Sequence, residues 1–510
     1  VNFLKNFNKS YFINFTLVMS IINLAGRFVS MFVGIFIAKI LGPVSYGVLG
    51  IANLIIKYLG YFDLGALKCL TRNATIKAGE NNIDEANKIK DVLFTFIFYA
   101  TIIPCLILWI YFLFGFNIKD ILNVEILFLI TINLITAKLY SYVNSLIKIE
   151  GNFDLIKKVQ IIEKILQPLL LIVLAYFFLI EGILFSLFLN NIIKLGYVMY
   201  NFKIRLNFFY SYKKTIEQLK TSLQLYFNGF GESILISSGL LIATYFLSVF
   251  EVGIYTFAAG FISSKKIPFA NPINIYIYRE IFTNKNYFNN IESTPKLLNY
   301  PLTFYILFHS LIFGLIFLFY SAFIGAYLNE YQLSISPMIF LFFGYIIYIS
   351  TIFHKMILDA NDFLNKILKG YVIGLVTIVF SILIFYYFKM LNVTNIAICS
   401  SLGFIAVTIY FNITSKKLIK RSLLKTFASL LRVIVSSLLV GIVLSLLRDF
   451  YLIETSMHIY LNEFLNLIVR FLIFTLSTYF VFFILFYDQS ILKKSIDLIK
   501  IVRKKNEVIQ

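Results

Sequence analysis

Charge is scarce in this chain. Of its 510 residues, 14 % are Asp, Glu, Lys or Arg and 60 % are apolar, whereas soluble globular proteins carry about 25 % charged residues. That balance excludes soluble enzymes and places the chain in a membrane. Each crossing of about 30 Å of hydrocarbon takes about 20 residues, so the apolar blocks leave no room for a sizeable soluble domain. Cysteine is thin too: Cys69, Cys105 and Cys399 are never spaced C-x-x-C, and there are only three histidines. A disulfide framework and a Cys/His metal cluster are thereby excluded. These residues are read as packing, and neither a metal nor a cofactor is expected. A G-x-x-x-x-G-K-[ST] phosphate loop is missing, which argues against direct ATP hydrolysis.

What is present is apolar sequence broken by short polar stretches. The first block begins around Tyr11, runs past a signal-peptide length without a small-residue cleavage site, and reads as a retained helix. The expected spans are 12–39, 44–67, 92–115, 121–147, 159–179, 182–202, 221–248, 251–278, 300–327, 332–354, 370–388, 391–414, 427–447 and 464–487. The fold class is therefore all-α, a polytopic membrane protein of about fourteen helices. The joints at Gly42-Pro43, Glu181 and Ser248 to Glu251 are short enough to fuse neighbouring spans.

The basic residues orient this arrangement, because Lys and Arg collect on the cytoplasmic side of short loops. With both termini and every loop after an even-numbered span inside, the outer loops hold only Lys119, Lys389 and Arg448 of the 45 basic residues. The formal charge of +20 is thus largely an inner-surface charge facing anionic lipid; nucleic acid is not an expected partner.

Some cations lie inside the spans. Lys39, Lys194, Arg432 and Arg470 fall within two turns of an end and read as headgroup anchors. Glu163 and its neighbour Lys164 read as ordinary inter-helix charges. Arg27, Lys57 and the pair Lys265 and Lys266 lie near the midpoints of spans 1, 2 and 8, and Glu232 at the middle of span 7. A cation at the bilayer centre costs roughly 2.5–3.5 kcal/mol unless it meets water or a partner. One mid-depth carboxylate cannot neutralise all of these cations. They either bond carbonyls in a closed bundle or face an aqueous, anion-accepting chamber, and the chamber is the more economical.

A shift of 206 positions aligns Tyr46 to Ala52 with Val252 to Ala258, at equivalent span junctions. Six spans per half would give two copies of equal orientation, related by an axis along the membrane normal. The expected organisation is an N-terminal lobe over 1–203, a cytoplasmic linker over 204–220, and a second lobe over 221–415. Two further helices over 416–488 and a basic tail over 489–510 complete it.

Arg27, Leu41-Gly42-Pro43 with Tyr46-Gly47, then Asp63-Leu64-Gly65 and Arg72 resemble the amino-terminal signature of polysaccharide biosynthesis flippases. These belong to the multidrug/oligosaccharidyl-lipid/polysaccharide exporter superfamily. The resemblance implies a bundle in a prokaryotic cytoplasmic membrane that alternates access. Its substrate would be a polyprenyl-pyrophosphate-linked oligosaccharide, with membrane lipids and polysaccharide-assembly proteins as further partners.

A pyrophosphate needs cations to cross hydrocarbon, and Arg or Lys suits its oxygens; Arg27, Lys57, Lys265 and Lys266 are the candidates for that role. Glu232 is the candidate for proton coupling, and Asp63 and Arg72 for bracing a cytoplasmic gate. Pro268 and Pro272 either hinge span 8 or kink it statically. The coupling ion would be H+ or Na+. Some superfamily members hold sodium with carboxylates in the second lobe, but spans 11 and 12 carry no Asp or Glu. The competing functions are a multidrug exporter of the same superfamily, which would favour chamber carboxylates for organic cations, and a polytopic glycosyltransferase or polymerase. The latter would need a sizeable outer loop, and no D-x-D pair occurs here.

Overall fold

The computed structural model describes residues 9–115, 123–204, 206–263, 327–360, 363–419 and 459–485, with isolated positions 318, 324, 325, 435, 439, 442, 443 and 446. Among these residues there are helices and turns but no strand. Contacts divide the chain into two compact units, Val1–Pro272 and Ile273–Gln510. The helices expected as spans 7 and 8 therefore pack with the first unit; the six-plus-six lobe division remains a proposal about topology.

In the first unit α1 covers Lys9–Leu59 and is interrupted at Gly42, whose φ of 66° only glycine adopts freely. Pro43 follows, lacking the amide that would continue the ladder. Spans 1 and 2 thus meet at the expected joint. A short 3₁₀ turn, Gly60–Asp63, leads into α2, Ala66–Gly79. Leu64 and Gly65 between them are left-handed, and Asp63 Oδ1 accepts the Gly65 amide at 3.1 Å. Span 2, expected to continue to 67, is cut short by this Asx-type turn.

Next come α3, Ile83–Leu113, and α4, Val124–Glu150, with Asn82 and Asn123 capping their first turns. In α5, Phe153–Asn201, the helix is interrupted at Leu179. Gly182 there presses on the Leu174 carbonyl. Eight helical residues would separate those positions by about 12 Å, so the chain doubles back and α5 contains spans 5 and 6. Then follow α6, Tyr212–Phe246, and α7, Val249–Ser263. Several helices begin earlier than hydropathy indicated, because their first turns are polar.

In the second unit a 3₁₀ turn, Asn329–Ser334, leads to α8, Ile335–Ile349, α9, Thr351–Ala360, α10, Leu364–Tyr387, α11, Val393–Ile419, and α12, Ile459–Leu485. Span 10, expected as one helix over 332–354, is instead a turn and two helices. Helix α11 is central, packing on α8, α9 and α10. Its Ser401 bonds the Phe340 carbonyl at 2.6 Å, and its Ser415 bonds the buried His354 ring at 2.8 Å.

Among the described residues eight helices are long and apolar enough to cross a membrane. The protein is a multi-pass membrane protein, but fourteen separate spans are not resolved as such: Phe153–Asn201 holds two. Spans 9 and 13 fall almost entirely outside the described residues, as does the inner part of span 8.

Candidate functional site

Two apolar clusters organise the first unit. One joins Cys69, Leu70, Leu93, Tyr142, Val159 and Val198. The other joins Val33, Leu41, Leu49, Ile130, Ala175 and Leu184. Along α4 and both halves of α5, the stretches between these clusters carry polar residues among apolar ones: Asn133 and Lys138, then Glu163, Lys164 and Gln167, then Asn190 and Lys194. A polar layer thus lies at mid-depth between two apolar ends.

Much of this layer is internally matched. Lys138 Nζ lies 2.6 Å from Asp63 Oδ2 and also donates to the Gly60 carbonyl. Lys194 Nζ lies 3.4 Å from Glu163 Oε2 and 4.2 Å from the centroid of the Tyr140 ring. Asn190 donates to Gln167 at 3.4 Å, while its own carbonyl oxygen is buried without a partner. Lys194, expected as an anchor, is 6 % exposed, and Arg470 in the second unit is 2 % exposed. Burial by protein argues against an anchoring role for both; Lys39 alone of the described anchors is exposed.

The second feature is a seam between α1 beyond its break and the helices α6 and α7. On the inner side Lys57 Nζ donates to the Ser233 carbonyl at 3.2 Å, and Tyr58 and Ser237 share a 2.6 Å hydroxyl bond. Tyr61 packs on the stacked pair Tyr226 and Phe230. Further in, Asn73 of α2 donates to Gln218 at 2.7 Å. On the outer side the seam is backbone against backbone. A Cβ on Gly47 would overlap the Val249 carbonyl, and one on Gly253 would overlap the Pro43 carbonyl. Those hypothetical Cβ atoms would stand 3.0 and 3.1 Å from the other glycine's amide nitrogen. Positions 43 and 249, like 47 and 253, are related by the 206-residue shift, so the contact is reciprocal, as a two-fold relation requires.

The predicted residues distribute as follows. Lys57 bonds the main-chain carbonyl of Ser233, the residue after Glu232, and not the Glu232 carboxylate. Lys57 has no carboxylate partner among the described residues. Asp63 and Arg72 do not meet: Asp63 is 7 % exposed and paired with Lys138, whereas Arg72 is exposed on α2. Arg27 lies on α1, but its side chain is outside the described residues, and Lys265, Lys266, Pro268 and Pro272 lie outside them entirely. Sequence reasoning left Lys138 without a role; the available signal was that a buried Asp and a buried Lys at similar depth satisfy one another. Among the described residues no group of His, Cys, Asp and Glu could hold a metal ion.

A family model described as polysaccharide biosynthesis protein matches residues 36–275. No curated protein matches the chain. Among solved structures the fold is similar to that of the lipid II flippase MurJ in an inward-closed conformation, with a TM-score of 0.61 and 14 % identity over 90 % of this chain and 98 % of that one. It is also similar to an inward-facing multidrug resistance MATE family transporter of the MOP superfamily, with a TM-score of 0.54 and 15 % identity over 79 % of this chain and 99 % of that one. For an outward-facing MATE transporter the values are 0.51 and 12 %, over 80 % and 96 %. At these identities the likeness is one of fold, and the fold is that of membrane transporters.

Proposed function

From a chain whose residues 36–275 match a family model described as polysaccharide biosynthesis protein, we infer a flippase that carries a polyprenyl-pyrophosphate-linked oligosaccharide across the cytoplasmic membrane of a prokaryote by alternating access. The observation that carries this reading is Lys57. It stands about 21 Å along the helix from Pro43, inside a membrane-spanning segment, and its ammonium is bonded to a neutral main-chain carbonyl. Its positive charge is therefore uncompensated at a seam between helices, where a pyrophosphate would supply the missing anion. An exporter of organic cations would place the opposite sign there.

In this reading Lys57, Arg27, Lys265 and Lys266 meet the pyrophosphate, while the prenyl tail stays in lipid and the sugars pass through a solvated path. The inner seam of Lys57, Tyr58 and Asn73 with α6 is made of exchangeable polar bonds and opens to the cytoplasm. Asp63 with Lys138 braces the turn beside it. Both termini lie in the cytoplasm, and Glu232, one residue from the Lys57 acceptor, is the group through which protons would couple.

The test is proteoliposome transport of a fluorescent undecaprenyl-pyrophosphate oligosaccharide, with accessibility to an external glycosidase as the readout. Lys57→Gln is expected to abolish transport at unchanged protein level. Normal transport by Lys57→Gln, or none by the wild type, would defeat the assignment.

A further inference from the structure

We propose that Lys164 is an additional phosphate-binding residue of the transported headgroup, held in place by the glycine at position 26. The inference rests on the flippase reading and adds to its site a residue on α5. Lys164 stands about 16 Å, eleven residues, into α5 from its inner end, close to the middle of about 30 Å of hydrocarbon. It is half-buried, and no hydrogen bond or ion pair engages it among the described residues.

Its neighbour Glu163 cannot serve as its partner. Adjacent helical residues project about 100° apart, and Glu163 is already turned to Lys194. Asp63, the other buried carboxylate of the layer, is taken by Lys138. The polar layer therefore satisfies its own charges and leaves this one over.

Position on the helix directs Lys164 inward. The lipid-facing stripe of this half of α5 is Ile165, Leu169, Val173 and Tyr176, all exposed. Lys164 is on the flank that packs against α1, in line with Leu171 and Ala175, which join the cluster containing Val33 and Ile37.

Gly26 decides how the side chain lies. A Cβ there would stand 2.6 Å from Lys164 Cδ and 3.2 Å from its Cγ. The absence of a side chain lets the lysine stem cross α1 beside Arg27, the residue already proposed to meet phosphate. A free cation at mid-depth carries a penalty that a bound anion removes.

The experiment titrates the full chain in detergent with undecaprenyl pyrophosphate and, separately, with inorganic pyrophosphate. Lys164→Gln is expected to weaken undecaprenyl pyrophosphate binding about tenfold, the effect of losing one charged hydrogen bond, and Lys164→Arg to retain most of it. Gly26→Ala should weaken it in the wild type but add nothing to Lys164→Gln, while the melting temperature stays near that of the wild type. This variant keeps the idea testable if Lys164→Gln folds poorly. A loss shared by inorganic pyrophosphate assigns the contact to the phosphates themselves; a loss confined to the lipid assigns it to the headgroup as the lipid presents it. Full-strength binding of the lipid by Lys164→Gln overturns the proposal. It leaves the flippase reading standing if Lys57→Gln has lost binding. A wild type that binds neither probe overturns the reading on which the proposal rests.

Discussion

Removing one member of the Asp63–Lys138 pair is expected to cost the protein about 3 kcal/mol, whereas removing both should cost little. The two charges are 2.6 Å apart, with side-chain exposures of 9 % for Asp63 and 16 % for Lys138, so solvent screens them weakly. At an effective dielectric of about 20 the attraction is about 6 kcal/mol. Desolvating each ion costs several kcal/mol, so the intact pair nets little, but an orphaned partner keeps its desolvation cost without the attraction. Breaking buried pairs in general costs about 3–5 kcal/mol. The lower end applies here because each survivor retains one bond: Asp63 to the Gly65 amide, Lys138 to the Gly60 carbonyl. The assay is equilibrium unfolding in mixed micelles for Asp63→Asn, Lys138→Met and Asp63→Leu/Lys138→Met. The double variant should lie within about 1 kcal/mol of wild type. Single variants as stable as wild type, or a double variant that simply sums their losses, would refute this account of the turn.

The glycine seam and the exposed face of α2 supply two more predictions. Gly47→Ala and Gly253→Ala should each destabilise by about 1–3 kcal/mol, the usual range for overpacking, because each methyl meets a main-chain carbonyl across the seam. Since the contact is reciprocal, melting temperatures should fall by similar amounts; a neutral effect of either would exclude the crossing. Lys77 has its pKa raised above the usual 10.5, first by its hydrogen bond to Glu80 and then by the charges of Glu80, Glu85 and Glu217. A raised folded pKa stabilises fully below the unfolded value and loses that contribution as pH rises through the folded value. Mass-spectrometric amine labelling against pH should show the Lys77 midpoint fall in Glu80→Gln, and an unchanged midpoint would count against the pairing.

How much could be read in advance differs from residue to residue. The break at Gly42-Pro43 was legible because one residue permits a positive φ and the next lacks a donor. The break at Leu179 was expected two residues away at Glu181, since the left-handed residue is an apolar leucine with no turn chemistry of its own. The helix α2 escaped notice: hydropathy follows apolar runs, and Ala66–Gly79 is broken up by six Lys, Arg, Asn and Thr residues. Lys57 was placed at mid-depth by counting along its span, but its acceptor, the Ser233 carbonyl, is 176 positions away and belongs to a main chain that any residue could provide.

Local chemistry in the sequence was enough to establish membrane residence, the all-helical class and the main joints, because hydropathy and turn preferences act within a few residues. Which face of each helix meets lipid and which meets protein was decided only by the tertiary structure. The surrounding lipid is as apolar as the core, so exposed Ile165 and Leu169 look the same in sequence as buried Leu155 and Ile156. The pairing of Lys138 with Asp63, the crossing of Gly47 and Gly253, and the uncompensated charge of Lys164 over Gly26 all depend on those rotations about the helix axes, which the apolar pattern leaves undetermined.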